Sequence, residues 1–509
     1  MDGPVVADLI RKSRLSLSDP DQVAVVFRDE QRTFAELDER SDRLAAGMLA
    51  HGLAPGDRVA ILSHNRLEYI ELFLAIAKAG LVAVPLNYLL RGPELAYHID
   101  DSGAETTFVE ARFLDLLRPL AAARDSHRLV VFDGPAAAGE LHFDELLSAG
   151  ADTSVLPAVS TEDVVLLQYT SGTTGRPKGA THTQGGVVGN AVNQVMDLPI
   201  REDDVYLSLP ALCWAAGLHT GTLAWLLKGA RVVIYPSRAF DPDEVCATVE
   251  AAGVTAMLMV PVVLRAIFTS GAIERHNLSG LHTVIVGGEP VSGELLDGLQ
   301  RALPDLELLQ AFGQSEFPTV MTALGGRSAR SKAGSVGKAV GLTRLRVIDE
   351  HGVDAEPGAH GEIVCRSAAT MQGYWNQPEE TKAAFTDGWL RTGDRGWVDE
   401  DGYLYIAGRS KDMMISGGLN VYPAEIERVL LGHPAVAECA VIGVPDEQFG
   451  EVGCAYVVPR ADVALTQDML AQYCREQLAS YKMPRHWVFR DENLPRTASG
   501  KIQKFRLAS

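Results

Sequence analysis

The sequence has little of what marks several common classes of protein. Its six cysteines are scattered through 509 residues without a CxxC pair or a histidine cluster, so neither a zinc site nor a disulfide framework is indicated. It has no low-complexity run. Its most apolar early stretch, residues 72–84, is interrupted by Lys78 and Gly80 and is shorter than the ~20 residues that span a bilayer. A disulfide scaffold, a disordered chain and a membrane span are therefore not expected.

The sequence also has fewer basic residues than acidic ones. The chain has 46 Lys and Arg residues against 66 Asp and Glu residues, which gives a formal net charge of -20. Such a charge opposes binding to nucleic acid or anionic lipid. Residues 1–15 lack the long apolar segment of a secretion signal. We therefore expect a cytoplasmic protein, monomeric or homodimeric, that does not bind nucleic acid.

The first several hundred residues alternate between helix and strand patterns. Thr33 and Glu36 form a capping box, and apolar residues then recur at helical spacing as far as Gly52. A strand at residues 58–62, a helix at 68–79 and a strand at 81–84 follow. The pattern predicts an α/β fold, with a large N-terminal domain of wound β-sheets packed with helices.

The pattern of predicted helices and strands changes toward the C-terminus. A strand at residues 402–406 leads into a charged turn, and beyond it the pattern predicts the following elements: a helix at 424–430, strands at 436–444 and 454–458, and a helix at 467–479. We expect a large N-terminal core domain at residues 1–408 and a small α+β C-terminal domain at residues 409–509.

The strongest local signal is the run at residues 169–179, YTSGTTGRPKG, which follows the apolar residues 164–167. Small residues let backbone N–H groups approach an anion, the hydroxyls add donors, and Lys178 adds a full charge. The spacing is not that of a Walker P-loop, because Pro177 precedes the lysine and neither Ser nor Thr follows it. A phosphate-binding loop is favoured over a simple flexible turn.

Four further motifs follow in order along the chain. They are QAFGQSE at 310–316, WLRTGD at 389–394 with GRSKD at 408–412, GGLNVYPAEIE at 417–427, and PRTASGK at 495–501. Together with the loop, they resemble the signature motifs of the adenylate-forming superfamily, which includes acyl-CoA synthetases, peptide-synthetase adenylation domains and luciferases. The resemblance covers essentially the whole chain.

The resemblance implies an ATP site with Mg²⁺ bound by Glu316. Its ATP-binding residues would be Thr170, Ser171, Gly172, Thr173, Thr174, Gly175, Gly288, Glu289, Pro290, Phe312, Gly313, Ser315, Asp394 and Arg409. In that site Phe312 would stack on adenine, and Asp394, supported by Arg409, would accept hydrogen bonds from the ribose hydroxyls. The catalytic residues would be Lys501, Glu316 and Lys178, since joining a carboxylate to ATP requires neutralisation of charge at the phosphates.

The resemblance also implies a rotation of the small domain between two half-reactions. Lys411 aligns with the hinge, and Gly417 with Gly418 would line the pantetheine tunnel. The sequence departs from many acyl-CoA synthetases at residues 212–218, LCWAAGL, where Trp214 replaces a histidine. An indole fills space and donates one hydrogen bond, so Trp214 either shapes the acid pocket for an unusual substrate or simply packs in the core.

The implied activity is ATP-dependent adenylation of a carboxylic acid, followed by transfer of the acyl group to coenzyme A. Three alternatives have the same fold. The acceptor could be a carrier protein, the enzyme could be similar to diazotases that adenylate nitrite and act on an aryl amine, or the chain could be a scaffold that has lost its chemistry. Retention of Lys501, Glu316 and Lys178 speaks against the scaffold.

Overall fold

The computed structural model describes most of the chain. The described residues are 3–16, 19, 21–124, 126–170, 177–238, 240–287, 293–325, 328–409, 412–416, 419–446, 448–460, 463–478, 480–496 and 502–507. None of the helices in these segments is both long enough and apolar enough to cross a membrane.

The helices of the described segments are short to medium in length. In chain order they are α1 Val6–Ser16, α2 Phe34–Ala50, α3 Leu67–Lys78, α4 Gly92–Ser102, α5 Leu114–Ala122, α6 Phe143–Ala149, α7 Gln184–Asp197, α8 Ala215–Gly217, α9 Leu223–Lys228, α10 Pro242–Ala252, α11 Pro261–Thr269, α12 Ala272–Arg275, α13 Gly293–Ala302, α14 Ser328–Ser331, α15 Pro378–Ala384, α16 Pro423–Leu431 and α17 Gln467–Arg475.

The strands run through the whole chain. In order they are β1 Val23–Phe27, β2 Glu30–Thr33, β3 Arg58–Leu62, β4 Val82–Pro85, β5 Thr106–Val109, β6 Arg128–Val131, β7 Leu141–His142, β8 Val164–Thr170, β9 Lys178–Thr183, β10 Val205–Ser208, β11 Arg231–Ile234, β12 Ala256–Met259, β13 Thr283–Gly287, β14 Glu307–Gln314, β15 Phe317–Leu324, β16 Lys338–Ala339, β17 Arg344–Ile348, β18 Gly361–Arg366, β19 Gly373–Tyr374, β20 Phe385–Thr386, β21 Trp389–Val398, β22 Leu404–Arg409, β23 Met414–Ser416, β24 Leu419–Val421, β25 Val436–Asp446, β26 Gly450–Pro459 and β27 His486–Phe489.

Two large sheets dominate the N-terminal part of the chain. One has the order β16-β15-β14-β13-β12-β10-β11-β1-β2 and the other the order β19-β9-β8-β4-β3-β5-β6-β7. Parallel pairs form the centre of each sheet, and antiparallel pairs such as β8 with β9 and β14 with β15 lie toward one edge. This arrangement confirms the predicted wound α/β architecture.

The largest hydrophobic cluster draws side chains from both of these sheets and from α1, α2, α3, α7 and α9. Its fully buried members include Trp225, Tyr69 and Tyr206. Separate clusters cover the other faces, one with α10, α11 and α13 and one with α4 and α5. Each large sheet is therefore covered on both faces, as expected for sheets with parallel centres.

Two smaller sheets follow in the chain. One joins β17, β18, β21, β20 and β22 in antiparallel pairs, and the other has the order β24-β23-β26-β25 with β27 parallel to β26. The second sheet packs with α16 and α17 around its own cluster. Strand β22 ends at Arg409, and the next strand, β23, belongs to a different sheet. The predicted domain boundary between residues 408 and 409 falls at this change of sheet. The boundary itself stays a prediction.

Local predictions agree with the structure at several elements. Thr33 Oγ1 accepts from the backbone N–H of Glu36, and Glu36 Oε2 accepts from that of Thr33, so the capping box that begins α2 is confirmed. Gly52 adopts a left-handed φ of 87° just after the helix. The final helix α17 ends at Arg475, earlier than predicted, because the chain tightens there: the carbonyl of Cys474 accepts from both Gln477 and Leu478.

Lys78, which interrupts the apolar pattern of α3, is nevertheless buried. Its ammonium group lies 2.6 Å from a carboxylate oxygen of Asp38 and 2.7 Å from one of Asp42, and it donates to Ser41 Oγ. The charge is thus paired with α2 instead of facing solvent. All six cysteines are buried free thiols, and no cluster of metal ligands occurs in the described segments.

Candidate active site

The predicted phosphate loop lies between strands β8 and β9, which pair as an antiparallel hairpin. In the strand register Thr170 pairs with Lys178, so these two residues lie side by side where the loop leaves the sheet. A Cβ atom added at Gly179 would lie 3.2 Å from the ring of Tyr169, which explains the glycine after the lysine. The Tyr169 hydroxyl donates to Asp101 at 2.6 Å and fixes that ring. Residues 171–176, which carry most of the predicted donors, lie outside the described residues.

Glu316 and Lys178 come together through a residue that the motifs did not include. Tyr374, in β19, lies beside β9 in the same sheet, and its hydroxyl donates to Glu316 Oε1 at 2.9 Å. The Lys178 ammonium lies 5.1 Å from the centre of the Tyr374 ring and forms an ion pair with Glu380. We call Lys178, Glu316, Tyr374 and Glu380 the phosphate cluster.

The hydroxyl of Tyr374 stays protonated in this cluster. Burial, and next the neighbouring Glu316 carboxylate, raise the pKa of Tyr374 well above its ordinary value. The positive charge of Arg409 acts in the opposite direction, which shows that Arg409 lies near this ring. Tyr374 is therefore a permanent hydrogen-bond donor to one oxygen of Glu316.

Ser315 is positioned by a buried histidine. His182, in β9, donates from Nε2 to the backbone carbonyl oxygen of Ser315 at 2.9 Å. Burial lowers the pKa of His182 to about 4, so the ring is neutral near pH 7. This bond fixes the turn between β14 and β15 against the hairpin that carries the phosphate loop. The sequence does not indicate His182 as a site residue, because no local pattern shows which strand its ring faces.

Asp394 and Arg409 form the second polar group of the site, which we call the ribose pair. They are register partners on the antiparallel strands β21 and β22, and Arg409 Nε lies 3.3 Å from Asp394 Oδ1. Asp394 is 5% exposed, and its backbone N–H donates to Thr392 Oγ1. Gly393 has a left-handed φ of 74°. A carboxylate beside a guanidinium on a fixed turn suits recognition of a diol.

Phe312 and Gly313 lie in β14, just before the turn that holds Ser315 and Glu316. The Phe312 ring is partly buried and packs against two hydrophobic clusters, one that contains Met371 and one that contains Ile363. One side of the ring is thus part of the hydrophobic core. Stacking on adenine stays a prediction.

Several predicted site residues lie outside the described residues. They are Ser171, Gly172, Thr173, Thr174, Gly175, Gly288, Glu289, Pro290, Lys411, Gly417, Gly418 and Lys501. Their roles stay predictions. Of the remaining predicted residues, the structure brings together Lys178, Glu316 and Arg409 around Tyr374, although these three come from distant parts of the sequence.

Trp214 precedes the short helix α8 and is partly buried against the largest hydrophobic cluster. Its indole Nε1 is buried and has no hydrogen-bond partner among the described residues. A tryptophan that only filled a core would more often have its N–H paired. The acid-pocket role therefore stays a prediction with a structural argument in its favour.

The chain matches a known family of proteins along most of its length. Residues 16–375 match the family described as AMP-binding enzyme, and residues 425–501 match the AMP-binding enzyme C-terminal domain. The chain is similar to a feruloyl-CoA synthase of Amycolatopsis sp, with 40% identity over 97% of this chain and 96% of that protein. It is also similar to an indoleacetate–CoA ligase of Aromatoleum aromaticum, with 37% identity over 96% and 94%.

A solved structure of the anthranilate CoA ligase AuaEII in complex with anthranoyl-AMP superimposes with a TM-score of 0.90, at 29% identity, over 99% of this chain and 96% of that one. Fold and site thus define an adenylate-forming enzyme. The chain belongs to the AMP-binding enzyme family, within the acyl-CoA synthetases, and is an AMP-forming acid:CoA ligase.

Proposed function

We propose that the phosphate cluster and the ribose pair bind MgATP, and that the enzyme adenylates a carboxylic acid there before the acyl group passes to coenzyme A. The observation that carries the proposal is the position of Tyr374, which contacts both Glu316 and Lys178 and lies near Arg409. A cation for the phosphates and a carboxylate for the metal ion then flank one ring. This is the charge pattern that a nucleotide requires.

Glu316 is suited to hold Mg²⁺. Tyr374 occupies one of its carboxylate oxygens, and the other accepts no hydrogen bond from the described residues. Mg²⁺ is commonly bound by one or two carboxylates together with substrate phosphates and water. When bound, the ion would neutralise charge on the pyrophosphate as it leaves. The fixed Glu316–Tyr374 bond would aim the remaining oxygen at that ion.

Lys178 would exchange its ion-pair partner for a phosphate when ATP binds. Its ammonium group is paired with Glu380 in α15, and a phosphate would be a more highly charged partner. Thr170, next to Lys178 across the hairpin, would add a hydroxyl donor. Lys501 would reach the substrate carboxylate and the α-phosphate from the C-terminal part of the chain, where negative charge grows as the new bond forms.

Transfer to coenzyme A would use the small domain in a second orientation. We propose a division at residues 408 and 409, a pivot at Lys411, and a tunnel for the pantetheine arm beside Gly417 and Gly418. The first 408 residues hold the ribose-binding Asp394, and the strand that carries Arg409 leads directly into the pivot. A rotation there would move Lys501 away from the nucleotide and bring the thiol of coenzyme A to face it, while the nucleotide stays in place.

The acid is proposed to carry an aromatic ring. The names of three similar proteins refer to ferulate, indoleacetate and anthranilate, each of which is an aromatic acid. Trp214, with an unpaired indole N–H, would contribute one wall of the pocket. The nearby Cys213 is a buried thiol whose pKa burial raises to about 12, so it is neutral and offers no competing nucleophile.

The test is substrate-dependent exchange of labelled pyrophosphate into ATP, followed by AMP release with and without coenzyme A. The acids would be benzoic, cinnamic and decanoic acid, their hydroxylated forms, and nitrite. Exchange with an aromatic acid and AMP release that requires coenzyme A are expected. Exchange with nitrite alone, or AMP release unaffected by coenzyme A, would refute the proposal.

A further inference from the structure

The segment between α8 and α9 makes a rigid, irregular bend. Residues Leu218–Thr222 form a kink in which Thr220 and Gly221 leave helical geometry, and Gly221 has a left-handed φ of 92°. A Cβ atom at Gly221 would lie 2.3 Å from the hydroxyl oxygen of Tyr206, so only glycine fits.

Two buried amides of α7 hold this bend. Asn190 Nδ2 and Gln194 Nε2 both donate to the backbone carbonyl oxygen of His219, at 2.8 and 2.9 Å. Gln194 Oε1 accepts from the backbone N–H of Gly221 at 3.0 Å. Three hydrogen bonds therefore fix the backbone from the carbonyl group of His219 to the N–H of Gly221.

The His219 ring lies in the protein interior. The residue is 1% exposed, and the edge of its ring packs against Phe73 with 5.5 Å between ring centres. Neither Nδ1 nor Nε2 has a hydrogen-bond partner among the described residues. A buried polar atom left unsatisfied costs about 1–3 kcal/mol, so two in one ring require an explanation.

Other unpaired polar atoms come from residues in contact with the same bend or ring. Thr220 Oγ1, Asn190 Oδ1 and His182 Nδ1 are buried and also lack partners in the described part of the chain. His182 is close enough that its charge would act on His219. We call His182, Asn190, His219 and Thr220 the buried histidine cluster.

The cluster is adjacent to the candidate active site. His182 connects it to the turn that holds Ser315 and Glu316 through a 2.9 Å hydrogen bond to the carbonyl oxygen of Ser315. Trp214 lies at the start of the segment that leads to His219. An acid whose carboxylate meets ATP near Glu316 would extend its tail away from the phosphates, toward the interior where these atoms lie.

We propose that His219 is a specificity-determining residue that accepts an acid whose tail carries a neutral hydrogen-bonding substituent, above all a hydroxyl group. The inference rests on the proposed ligase function. An imidazole that is not protonated offers one N–H donor and one lone pair, and a hydroxyl offers one of each in return. Thr220 Oγ1 and Asn190 Oδ1 would complete the contacts.

A charged tail fits this cluster poorly. Burial, and next the neighbouring His182, lower the pKa of His219 to about 3, so the ring does not provide a positive charge for a second carboxylate. Lys78, a buried cation in the described segments, is already held by Asp38 and Asp42. A dicarboxylic acid would therefore pay a desolvation cost without an ionic partner.

The test compares matched acids in the pyrophosphate-exchange assay. The pairs are benzoic with 3- and 4-hydroxybenzoic acid, cinnamic with 4-hydroxycinnamic acid, and decanoic with 10-hydroxydecanoic acid. In the wild-type enzyme we expect at least one hydroxylated acid to exceed its parent in kcat/KM by about tenfold or more, the scale of a buried hydrogen bond. His219→Phe should reduce that ratio to near one by slowing the hydroxylated acid only.

Two further variants keep the test decisive. His219→Gln retains a donor and an acceptor and should preserve part of the preference even if His219→Phe does not fold. His127→Leu removes a buried imidazole that pairs with Thr107 in the remote strand β5, and it should leave the ratio unchanged. Absence of exchange with every acid would overturn the ligase proposal and this inference with it. If the folded His219 variants exchange pyrophosphate with an unchanged ratio of kcat/KM between hydroxylated and parent acids, this inference alone is overturned. Ordered water would then make the hydrogen bonds of the ring.

Discussion

The two sides of the candidate site are built on opposite electrostatic principles. The phosphate cluster and the ribose pair consist of charged groups that neutralise one another, Lys178 with Glu380 and Asp394 with Arg409. The buried histidine cluster consists of neutral groups, since burial holds the pKa values of His182 and His219 to about 4 and 3. Several of its polar atoms have no partner among the described residues.

The difference follows from what each side would bind. A polyphosphate carries several charges and can displace a weak ion pair, so the charged groups can be satisfied by each other until it arrives. The tail of an acid carries no charge to displace anything. Groups that recognise it must already be free of protein partners, at a cost in stability that binding repays.

The largest effect is expected at Lys501 on the charged side. We predict that Lys501→Ala slows adenylation by at least ~10²-fold, the scale for losing one preorganised electrostatic contact in a transition state. Pyrophosphate exchange measures this step. Lys504→Ala is the matched control, because Lys504 pairs with Glu427 at 2.7 Å and should stay near the wild-type rate. Near-normal exchange in the Lys501 variant would refute its role.

The buried histidine cluster should affect how the free energy of unfolding depends on pH. An unfolded histidine takes up a proton below about pH 6.5, whereas His182 does so only near pH 4, so the folded state loses stability as the pH falls from 6.5 toward 4. This histidine should account for about 2–3 kcal/mol between pH 7 and 4.5.

Urea unfolding of His182→Leu at both pH values tests that contribution. The variant should be less sensitive to acid than the wild type, whereas a substitution at the exposed His351 should not change the slope. An identical acid sensitivity in the His182 variant would show that its ring is solvated and charged.

The ribose pair should affect nucleotide binding. We predict that Asp394→Asn raises the KM for ATP about 10- to 30-fold, since a charged acceptor for the ribose hydroxyls is lost. Initial rates over a range of ATP concentrations measure this. Asp399→Asn, on the same hairpin but paired with Lys332, should leave the KM for ATP unchanged. A change in kcat alone would argue against ribose binding.

Tyr374 should tune the metal site. Tyr374→Phe removes the hydroxyl that donates to Glu316 and should raise the Mg²⁺ concentration for half-maximal activity about 3- to 10-fold. A magnesium titration at fixed ATP measures the shift. Tyr403→Phe, which loses a hydrogen bond to Ser328, serves as the control. An unchanged magnesium requirement would separate Glu316 from the metal.

The smallest effect is expected at the partner of Lys178. Glu380→Gln removes an ion pair that ATP must displace, so ATP should bind up to about threefold more tightly, in line with the ~0.2–1 kcal/mol of exposed pairs. Binding of ATP by calorimetry measures it, and the neighbouring exposed Glu379→Gln is the control. Weaker binding would mean that Glu380 instead supports the site.

The sequence predicted the elements whose signals are local. The capping box of α2 involves residues three apart, and its two hydrogen bonds are as expected. The apolar run before the phosphate loop is strand β8. The motif residues Asp394 and Arg409 could be assigned a common role because each motif carries its own polar groups, and the register of β21 with β22 pairs them.

The sequence could not predict Tyr374, Glu380 or His219, because nothing in their neighbourhood distinguishes them from surface or core residues. Lys178 and Glu380 are 202 residues apart, and Tyr374 is 58 residues from Glu316. Their contacts arise because the short strand β19 adds to the edge of the sheet beside β9. His219 depends on amides from another helix.

The amino-acid sequence by itself determined the chemistry of the enzyme, because a loop that binds phosphate and residues that carry charge need only the right side chains at short spacing. Only the tertiary structure decided which of those charges face one another and which polar groups are left buried without a partner. Burial and long-range pairing depend on how sheets and helices pack, and that packing brings together residues that no local pattern connects.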